Sequence, residues 1–279
     1  MTFTDFKTYF EANQGHYADL AWDDPHQLTA AELRDVRASL QTFQRGESSE
    51  GHFLYARARQ LGDPEYTAAM RLFIKEEQTH AAVLGRFLDQ QGIPRLRGHW
   101  LDNVFRGLRR VLSLEHTLRV LLTAEVVAAV YYRALFNATY SGLLQQICRR
   151  IILDEEMHLN FQCFTLRHLS AGRGGPGTWL RRHAYRALMA GAALAAYAAS
   201  RPTLRAGGYG LLSFLAAIAA EYRRVEGMQR VGALIAGRGG QPVAPVAAGP
   251  VGAWQWPAQR LRAAKRTGGS GCRACLGNG

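Results

Sequence analysis

The residues of this sequence best suited to catalysis or metal binding belong to two copies of a Glu-x-x-His motif. Because residues three apart lie on one face of a helix, each motif can direct a carboxylate and an imidazole to the same place. A further glutamate stands 30 residues before each motif. The two sets are Glu47 with Glu77-x-x-His80, and Glu125 with Glu155-x-x-His158.

The two sets belong to an internal repeat with a period of 78 residues. A shift by that amount, without a gap, places every residue of the first set on its counterpart in the second, and it also places Glu76 on Asp154. The turn signals coincide as well, because Asp63-Pro64 falls on Ser141-Gly142. A lone Glu-x-x-His is common on solvated helices, but two copies in this register favour a shared site.

The repeat predicts two helical hairpins that bring the sets together. Glu47 lies 16 residues before Asp63, and Glu77 lies 14 residues after it. In an antiparallel hairpin these two glutamates lie at nearly the same height. The second half gives the same result around Ser141, so two hairpins packed face to face would converge four carboxylates and two imidazoles in the core.

Such a cluster requires countercharge, because four buried and unpaired carboxylates would be very costly. Two divalent cations would balance the four negative charges. Oxygen-rich ligation with a few imidazoles suits iron or manganese better than zinc or magnesium. The sequence therefore predicts a pair of metal ions in the core of a helical bundle, an arrangement that such bundles are known to build from these residue types.

Capping and breaker residues place the helices that must position the cluster. Thr29 and Glu32 form a capping box for a helix that is predicted to run to Leu61, where Gly62 provides the stop. Asp63-Pro64 has the pattern of an N-cap followed by a first-turn proline, which opens the next helix. The four predicted bundle helices cover residues 29–61, 64–92, 113–140 and 143–169.

These motifs resemble those of the ferritin-like superfamily of di-iron carboxylate proteins. The segment Gly46-Glu47-Ser48 and the Glu77-x-x-His80 helix look most like rubrerythrin. Tyr132 lies seven residues after Glu125, a spacing that several ferritin-like proteins share, whereas the first half of the repeat has Leu54 at that place.

The resemblance implies an all-α fold, namely a ferritin-like four-helix bundle made of two helical hairpins. It implies that the six Glu and His residues of the two sets are the metal ligands, with two iron ions as the cofactor and manganese as the alternative. Two C-terminal helices and a disordered tail are predicted to follow the bundle. The predicted segments are a lead-in (1–28), the di-metal bundle (29–170), a helical extension (178–231) and a disordered basic tail (236–279).

The resemblance further implies an oxygen-activating oxidase or oxygenase that acts on an unidentified small substrate. It would need an external electron donor, because the chain has no rubredoxin-type cysteine set. The alternatives are an iron-handling ferroxidase, a non-catalytic metal-stabilised bundle, and a peroxide scavenger like manganese catalase. One fold hosts many chemistries, so the motifs do not select among these functions, and a homodimer is compatible with each of them.

Several residues beside the candidate ligands have open roles. Glu50 lies one turn after Glu47 and is an alternative ligand or a supporting carboxylate, but its counterpart under the repeat is an alanine, which favours Glu47. Tyr132 is a candidate redox-active or supporting residue, although packing of its ring in the core is the commoner role. Glu76 and Asp154 adjoin ligands but point off the ligand face, so we expect solvated or supporting roles for them.

Positive charge is concentrated in the C-terminal part of the chain. Residues 1–170 hold 19 Lys and Arg against 20 Asp and Glu, whereas residues 171–279 hold 15 against two. Nucleic acid and an anionic membrane are alternative partners for this basic part, but a solvated, arginine-biased tail is the favoured interpretation. Its Ala-rich stretches are poor membrane spans, so two helices that cap the bundle are favoured over a peripheral membrane hairpin.

The N-terminal sequence lacks the pattern of a signal peptide, and the chain has only four cysteines, so a cytoplasmic protein without a disulfide framework is expected. Cys272-x-x-Cys275 has no second cysteine pair with which to bind a metal, and we interpret it as incidental.

Overall fold

The computed structural model describes residues 1–48, 51–97, 113–170 and 177–236, all of which belong to one compact unit, Met1–Gly240. The regular secondary structure of this described part is entirely helical, which confirms the all-α class. Its helices are α1 (Phe3–Ala12), α2 (Ala30–Glu47), α3 (His52–Arg59), α4 (Pro64–Gln90), α5 (Leu114–Ala138), α6 (Gly142–Ser170), α7 (Gly177–Ala206) and α8 (Leu211–Ala236).

Two short turns create the helix pairs that the repeat predicts. At the first turn, the Asp63 side chain accepts a hydrogen bond from the Tyr66 amide and a proline follows at once, so α4 begins where the sequence indicates. At the second turn, Ser141 Oγ accepts a hydrogen bond from the Leu144 amide at 3.2 Å. Helices α5 and α6 pack along each other, and α4 packs against both α2 and α6.

The single helix predicted from Thr29 to Leu61 is wrong, because the chain breaks between α2 and α3. The Thr29 capping box does open α2. Gly51, however, has a φ of +68°, a left-handed conformation that favours glycine, and a Cβ at this position would collide with the Ile74 side chain of α4. Gly51 is the N-cap of α3, and α2 ends at Glu47 with Ser48 as its C-cap, so this candidate ligand is the last residue of its helix.

The segment predicted as a lead-in, residues 1–28, contains a helix that the sequence analysis did not identify. A capping box between Thr2 and Asp5 opens α1. The phenylalanine rings of α1 pack against α4 and α6, with the Phe6 and Phe161 ring centroids 5.2 Å apart. Its buried face carries Phe3, Phe6 and Phe10. This stripe anchors α1 across the bundle and sets the position of the turn that follows it.

Helices α7 and α8 cover the segment predicted as a C-terminal helical extension, 178–231. Helix α7 packs on α5 and α2, while α8 packs on α6. The Ala-rich α7 continues through Pro202 with a kink at Ser200, whose φ and ψ are −118° and 15°. Just after α7, Gly207 lies so close to α5 that a Cβ would collide with the backbone of Ala134.

Within the described ranges, no single helix is long and apolar enough to cross a membrane. The pair Trp179–Ala206 and Leu211–Gln229 reaches that length and composition only when taken together, with a bend of 108° between the two helices. Glu50 lies outside the described residues, as do the predicted disordered tail beyond Ala236 and its Cys272-x-x-Cys275 pair.

Candidate metal centre

The structure brings together all six Glu and His residues of the two sets, in the interior of the bundle. Five of them are buried, and Glu77 exposes 18% of its side chain. Each half of the repeat contributes one residue from its first helix and two from its second. The residues are Glu47 (α2), Glu77 and His80 (α4), Glu125 (α5), and Glu155 and His158 (α6).

The ligand atoms of these residues form two overlapping groups, each with three carboxylates and one imidazole. Within a group the atoms lie within 4.8 Å of one another, so that one ion could contact all of them. Glu77 and Glu155 belong to both groups, and each comes from a different hairpin. The first group is Glu47, Glu77, His80 and Glu155, and the second is Glu77, Glu125, Glu155 and His158.

Several buried atoms of this cluster have no hydrogen-bond partner in the described part of the chain. They include both carboxylate oxygens of Glu155 and His80 Nδ1. His158 Nδ1 and one oxygen of Glu77 make no hydrogen bond either, although they lie 2.9 Å apart as an ion pair. Buried polar atoms are normally paired, because each unpaired one costs roughly 1–3 kcal/mol. Coordination to metal ions would satisfy these atoms, so the residues present fit a metal pair.

Each histidine of the cluster is oriented by a carboxylate from the other hairpin. His80 Nε2 lies 2.9 Å from Asp154 Oδ2, and His158 Nε2 lies 2.9 Å from Glu76 Oε2. When Nε2 donates to the carboxylate, the Nδ1 lone pair remains available to a metal. Glu76 and Asp154 are themselves buried. Of the two roles expected for them, solvated or supporting, the structure shows the supporting one.

A polar turn that follows α1 holds these two carboxylates from outside. Asn13 Nδ2 donates to both Glu76 at 2.5 Å and Asp154 at 2.9 Å, so that one amide bridges them. The Tyr17 hydroxyl donates to Asp154 at 2.8 Å, and His16 Nε2 lies 3.2 Å from the same carboxylate. Sequence reasoning missed these three residues, and the only available signal was the helical spacing of the phenylalanines that precede them.

His16, Glu76 and Asp154 also lie close enough together to hold an ion. Both carboxylates, however, already accept hydrogen bonds from the histidines of the main cluster. Burial opposes protonation of His16, but its hydrogen bond to Asp154 and the charge of that carboxylate outweigh burial and raise the pKa of the imidazole. We therefore infer that this group orients the histidines of the main cluster and is not a separate metal site.

Glu47 and Glu125 each belong to only one ligand group, and we call them the unshared glutamates. Each of them receives a hydrogen bond from a buried side chain. The Tyr132 hydroxyl donates to Glu47 Oε1 at 2.6 Å, and Gln162 Nε2 donates to Glu125 Oε1 at 2.7 Å. Burial and the negative charge of Glu47 raise the pKa of Tyr132 well above its usual value, so its hydroxyl keeps the proton that it donates. Tyr132 thus has a supporting contact, and a redox role for it stays a prediction.

Without metal, the carboxylates of the cluster compete for protons. Burial, followed by the proximity of Glu77, raises the pKa of Glu47 well above its usual value. Burial and the charge of Glu125 do the same for Glu155. Burial also opposes ionisation of Glu125, but the neighbouring Glu155 and His158 side chains outweigh it and lower the pKa of Glu125 to about 2. The folded chain thus retains protons that two divalent ions would displace.

Aromatic rings cover the histidine side of the cluster. The Phe73 ring meets the His158 imidazole edge-on at a centroid distance of 4.6 Å, and Phe10 lies 6.1 Å from the same ring. Tyr17 lies 5.9 Å from His80. These rings are buried, and they keep water away from the histidines.

Comparisons with known proteins found no matching family model, no matching curated protein and no matching solved structure. The ferritin-like assignment therefore stays a prediction that rests on the residues of this chain.

Proposed function

We propose that this chain is a ferritin-like di-metal carboxylate protein. The observation that carries the proposal is the pair of overlapping ligand groups that share Glu77 and Glu155. Two divalent ions would neutralise four carboxylates that otherwise repel one another in a buried site. Each ion would be held by residues of both hairpins, so metal binding would also fasten the two halves of the repeat together.

We propose iron as the metal, with manganese as the alternative. Each group offers three carboxylates and one imidazole, a donor set typical of these two metals. Structural zinc sites use mainly thiolate and imidazole ligands, and magnesium usually keeps several waters. The same set of glutamates and Glu-x-x-His motifs is what ferritin-like di-iron and di-manganese bundles use.

The proposed reaction is the oxygen-dependent oxidation of a small substrate, supported by an external electron donor. The six Glu and His residues of the cluster would hold the iron pair, which in its reduced form would supply electrons to dioxygen. The protein's own residues hold the ligands and restrict water. Tyr132 and Gln162 fix the unshared glutamates, Asp154 and Glu76 fix the histidines, and the Phe73 ring covers one side. Such fixed supporting contacts reduce the reorganisation that the site must undergo during turnover.

Oxygen consumption by the iron-loaded protein tests this proposal. The chain is loaded with ferrous iron without oxygen and then exposed to oxygen in the presence of a reductant. We expect uptake of dioxygen that falls to the background rate in the variants Glu77→Ala and Glu155→Ala. The matched control is Glu65→Ala, because Glu65 lies on α4 but is a partly exposed residue outside the cluster, paired with Lys7. Uptake that is equal in all of these proteins would reject the proposal.

The same preparations separate the proposed reaction from its alternatives. Oxidation of a large excess of ferrous iron, with growth of a mineral, would identify an iron-handling ferroxidase. Release of dioxygen from peroxide by the manganese-loaded protein would identify a catalase. Tight metal binding without any redox turnover would identify a bundle in which the metals serve stability alone.

A further inference from the structure

The outer side of α7 is apolar although it faces solvent. Its inner side packs into the core through Met189, Ala193 and Tyr197. On the opposite side, exposed residues without a charge follow one another at intervals of three or four. They are Leu180, Ala184, Ala187, Gly191, Leu194 and Ala198. We call these six residues the α7 outer face.

Large apolar side chains are well exposed on this face and beside it. Leu180 exposes 66% of its surface and Leu194 exposes 52%, while the neighbouring Trp179 exposes 67%. Single exposed apolar residues are ordinary on any protein. A continuous stripe along about five helical turns is different, because contiguous apolar patches of this kind commonly mark a surface that binds something.

Arginines stand at both ends of the α7 outer face. The exposed Arg201 and Arg205 follow its C-terminal end, beyond Ala198. At its N-terminal end, the exposed Arg181 follows Leu180. Arg182 and Arg186 lie toward α8, where both contact Glu226. The face therefore has an apolar middle, with two arginines at its C-terminal end and one arginine beside its N-terminal end.

The acidic residues nearby do not neutralise these ends. From Trp179 to Gln229 the chain has seven arginines and only two glutamates. Glu226 lies 3.3 Å from Arg182 and 3.0 Å from Arg186, so one carboxylate serves two arginines. Glu221 is buried and lies 2.5 Å from Arg224 of its own helix. The two ends of the α7 outer face thus keep a net positive charge.

This charge pattern discriminates between the partners that such a face could have. A second copy that paired through the same face would bring basic ends together in either orientation, and like charges across an interface are unfavourable. Nucleic acid would pair with the arginines but would leave the apolar middle without a partner. An anionic bilayer offers acidic headgroups to the arginines and acyl chains to the leucines.

We propose that the α7 outer face binds the surface of a membrane that contains anionic lipids. Trp179, Leu180 and Leu194 would enter the boundary between headgroups and acyl chains, and Arg201 and Arg205 would contact the headgroups. The helix would lie along the membrane, because its inner side remains packed in the core of the protein. This inference does not depend on the metal pair, and it assigns to the basic C-terminal part a partner that the sequence alone did not favour.

Sedimentation of the full chain with lipid vesicles tests the proposal. One set of vesicles contains phosphatidylcholine alone, and the other contains phosphatidylcholine and phosphatidylglycerol in equal parts. We expect binding to the anionic vesicles that weakens with salt. Leu194→Glu should weaken it about tenfold or more, since it removes a leucine from the apolar middle and adds a negative charge. The double variant Arg201→Gln and Arg205→Gln should weaken it about 25-fold.

Matched controls separate this face from general charge effects. Phe53→Glu changes a residue that is exposed to the same degree as Leu194, at 53%, but that lies on α3. Arg37→Gln with Arg59→Gln removes two exposed arginines from α2 and α3. Both controls should bind vesicles within about twofold of the unchanged protein, because neither alters the apolar middle or its basic ends.

Several results would overturn the proposal. These are an absence of vesicle binding, equal binding to both kinds of vesicle, and equal losses in the controls and in the α7 variants. If the protein does not bind vesicles but forms concentration-dependent dimers, and Leu194→Glu dissociates these dimers, a second copy of the chain covers the face. Binding of nucleic acid that is lost with Arg201 and Arg205, again without vesicle binding, would make nucleic acid the partner.

Discussion

Asp154 is the position at which a single substitution should affect one metal ion more than the other. Its carboxylate accepts hydrogen bonds from His80, Tyr17 and Asn13, and it lies 3.2 Å from His16. The variant Asp154→Asn keeps the shape of the side chain but removes the charge that orients His80 and makes it a stronger ligand. The equivalent contact at His158 is made by a different residue, and it stays intact.

The expected magnitude follows from these contacts. Loss of a carboxylate that orients a ligand histidine typically weakens metal affinity by about 10–100-fold, which is about 1.4–2.7 kcal/mol. Only the ion whose group contains His80 should be affected. The free energy of unfolding of the metal-free protein should also fall by about 1.5–3 kcal/mol, because hydrogen bonds to a buried charge are lost. Glu76→Gln should give the mirror result, with the ion beside His158 weakened.

Titration with ferrous iron against a competing chelator, without oxygen, measures both binding steps. We expect two tight steps in the unchanged protein, and one tight and one weakened step in Asp154→Asn. The control is Asp89→Asn, since Asp89 is an exposed residue that pairs with Arg95. Two unchanged steps in Asp154→Asn, or equal weakening of both steps, would refute the assignment of Asp154 to His80.

Three further results are expected. Removal of metal with a chelator should lower the melting temperature by about 10–20 °C in a thermal melt, because two ions at 100 times their Kd each contribute about 2.7 kcal/mol. In urea melts of the metal-free protein, the free energy of unfolding should fall as the pH rises above about 4.5, the ordinary pKa of glutamate. The reason is that the raised pKa values of Glu47 and Glu155 let the folded state keep protons that the unfolded chain releases. Metal loading should remove this pH dependence. Tyr132→Phe should lower that free energy by about 1.5–3 kcal/mol through loss of the bond to Glu47, whereas Tyr140→Phe, at an exposed hydroxyl, should not.

The convergence of the six cluster residues was predictable because it depends on local rules and on one repeat. The spacing within Glu77-x-x-His80 fixes a shared helix face, and the turn at Asp63 fixes the height of Glu47 relative to Glu77. The supporting contacts were not predictable in the same way. The hydrogen bond from Tyr17 to Asp154 joins residues 137 positions apart, and only the packing of α1 across the bundle brings them together.

Two other features needed the structure for different physical reasons. Residues 29–61 contain no proline and are predicted to form one helix, although Gly46 and Gly51 have weak helix propensity. The left-handed Gly51 begins a second helix, so that the segment divides into α2 and α3. The sequence of α7 is rich in alanine on every side, so it does not indicate which side is covered. The burial of Met189 and Tyr197 settles that point and leaves Leu194 on the exposed side.

Metal content per chain is the measurement that tests the central claim most directly. The purified protein, reconstituted with ferrous iron or manganese, is analysed by elemental mass spectrometry together with the double variant Glu77→Ala and Glu155→Ala and the control Glu65→Ala. The shared ligand groups predict about two ions per chain in the protein and in the control, and none bound tightly in the double variant. An unchanged protein that binds no metal, or a double variant that still binds two ions, would contradict the account.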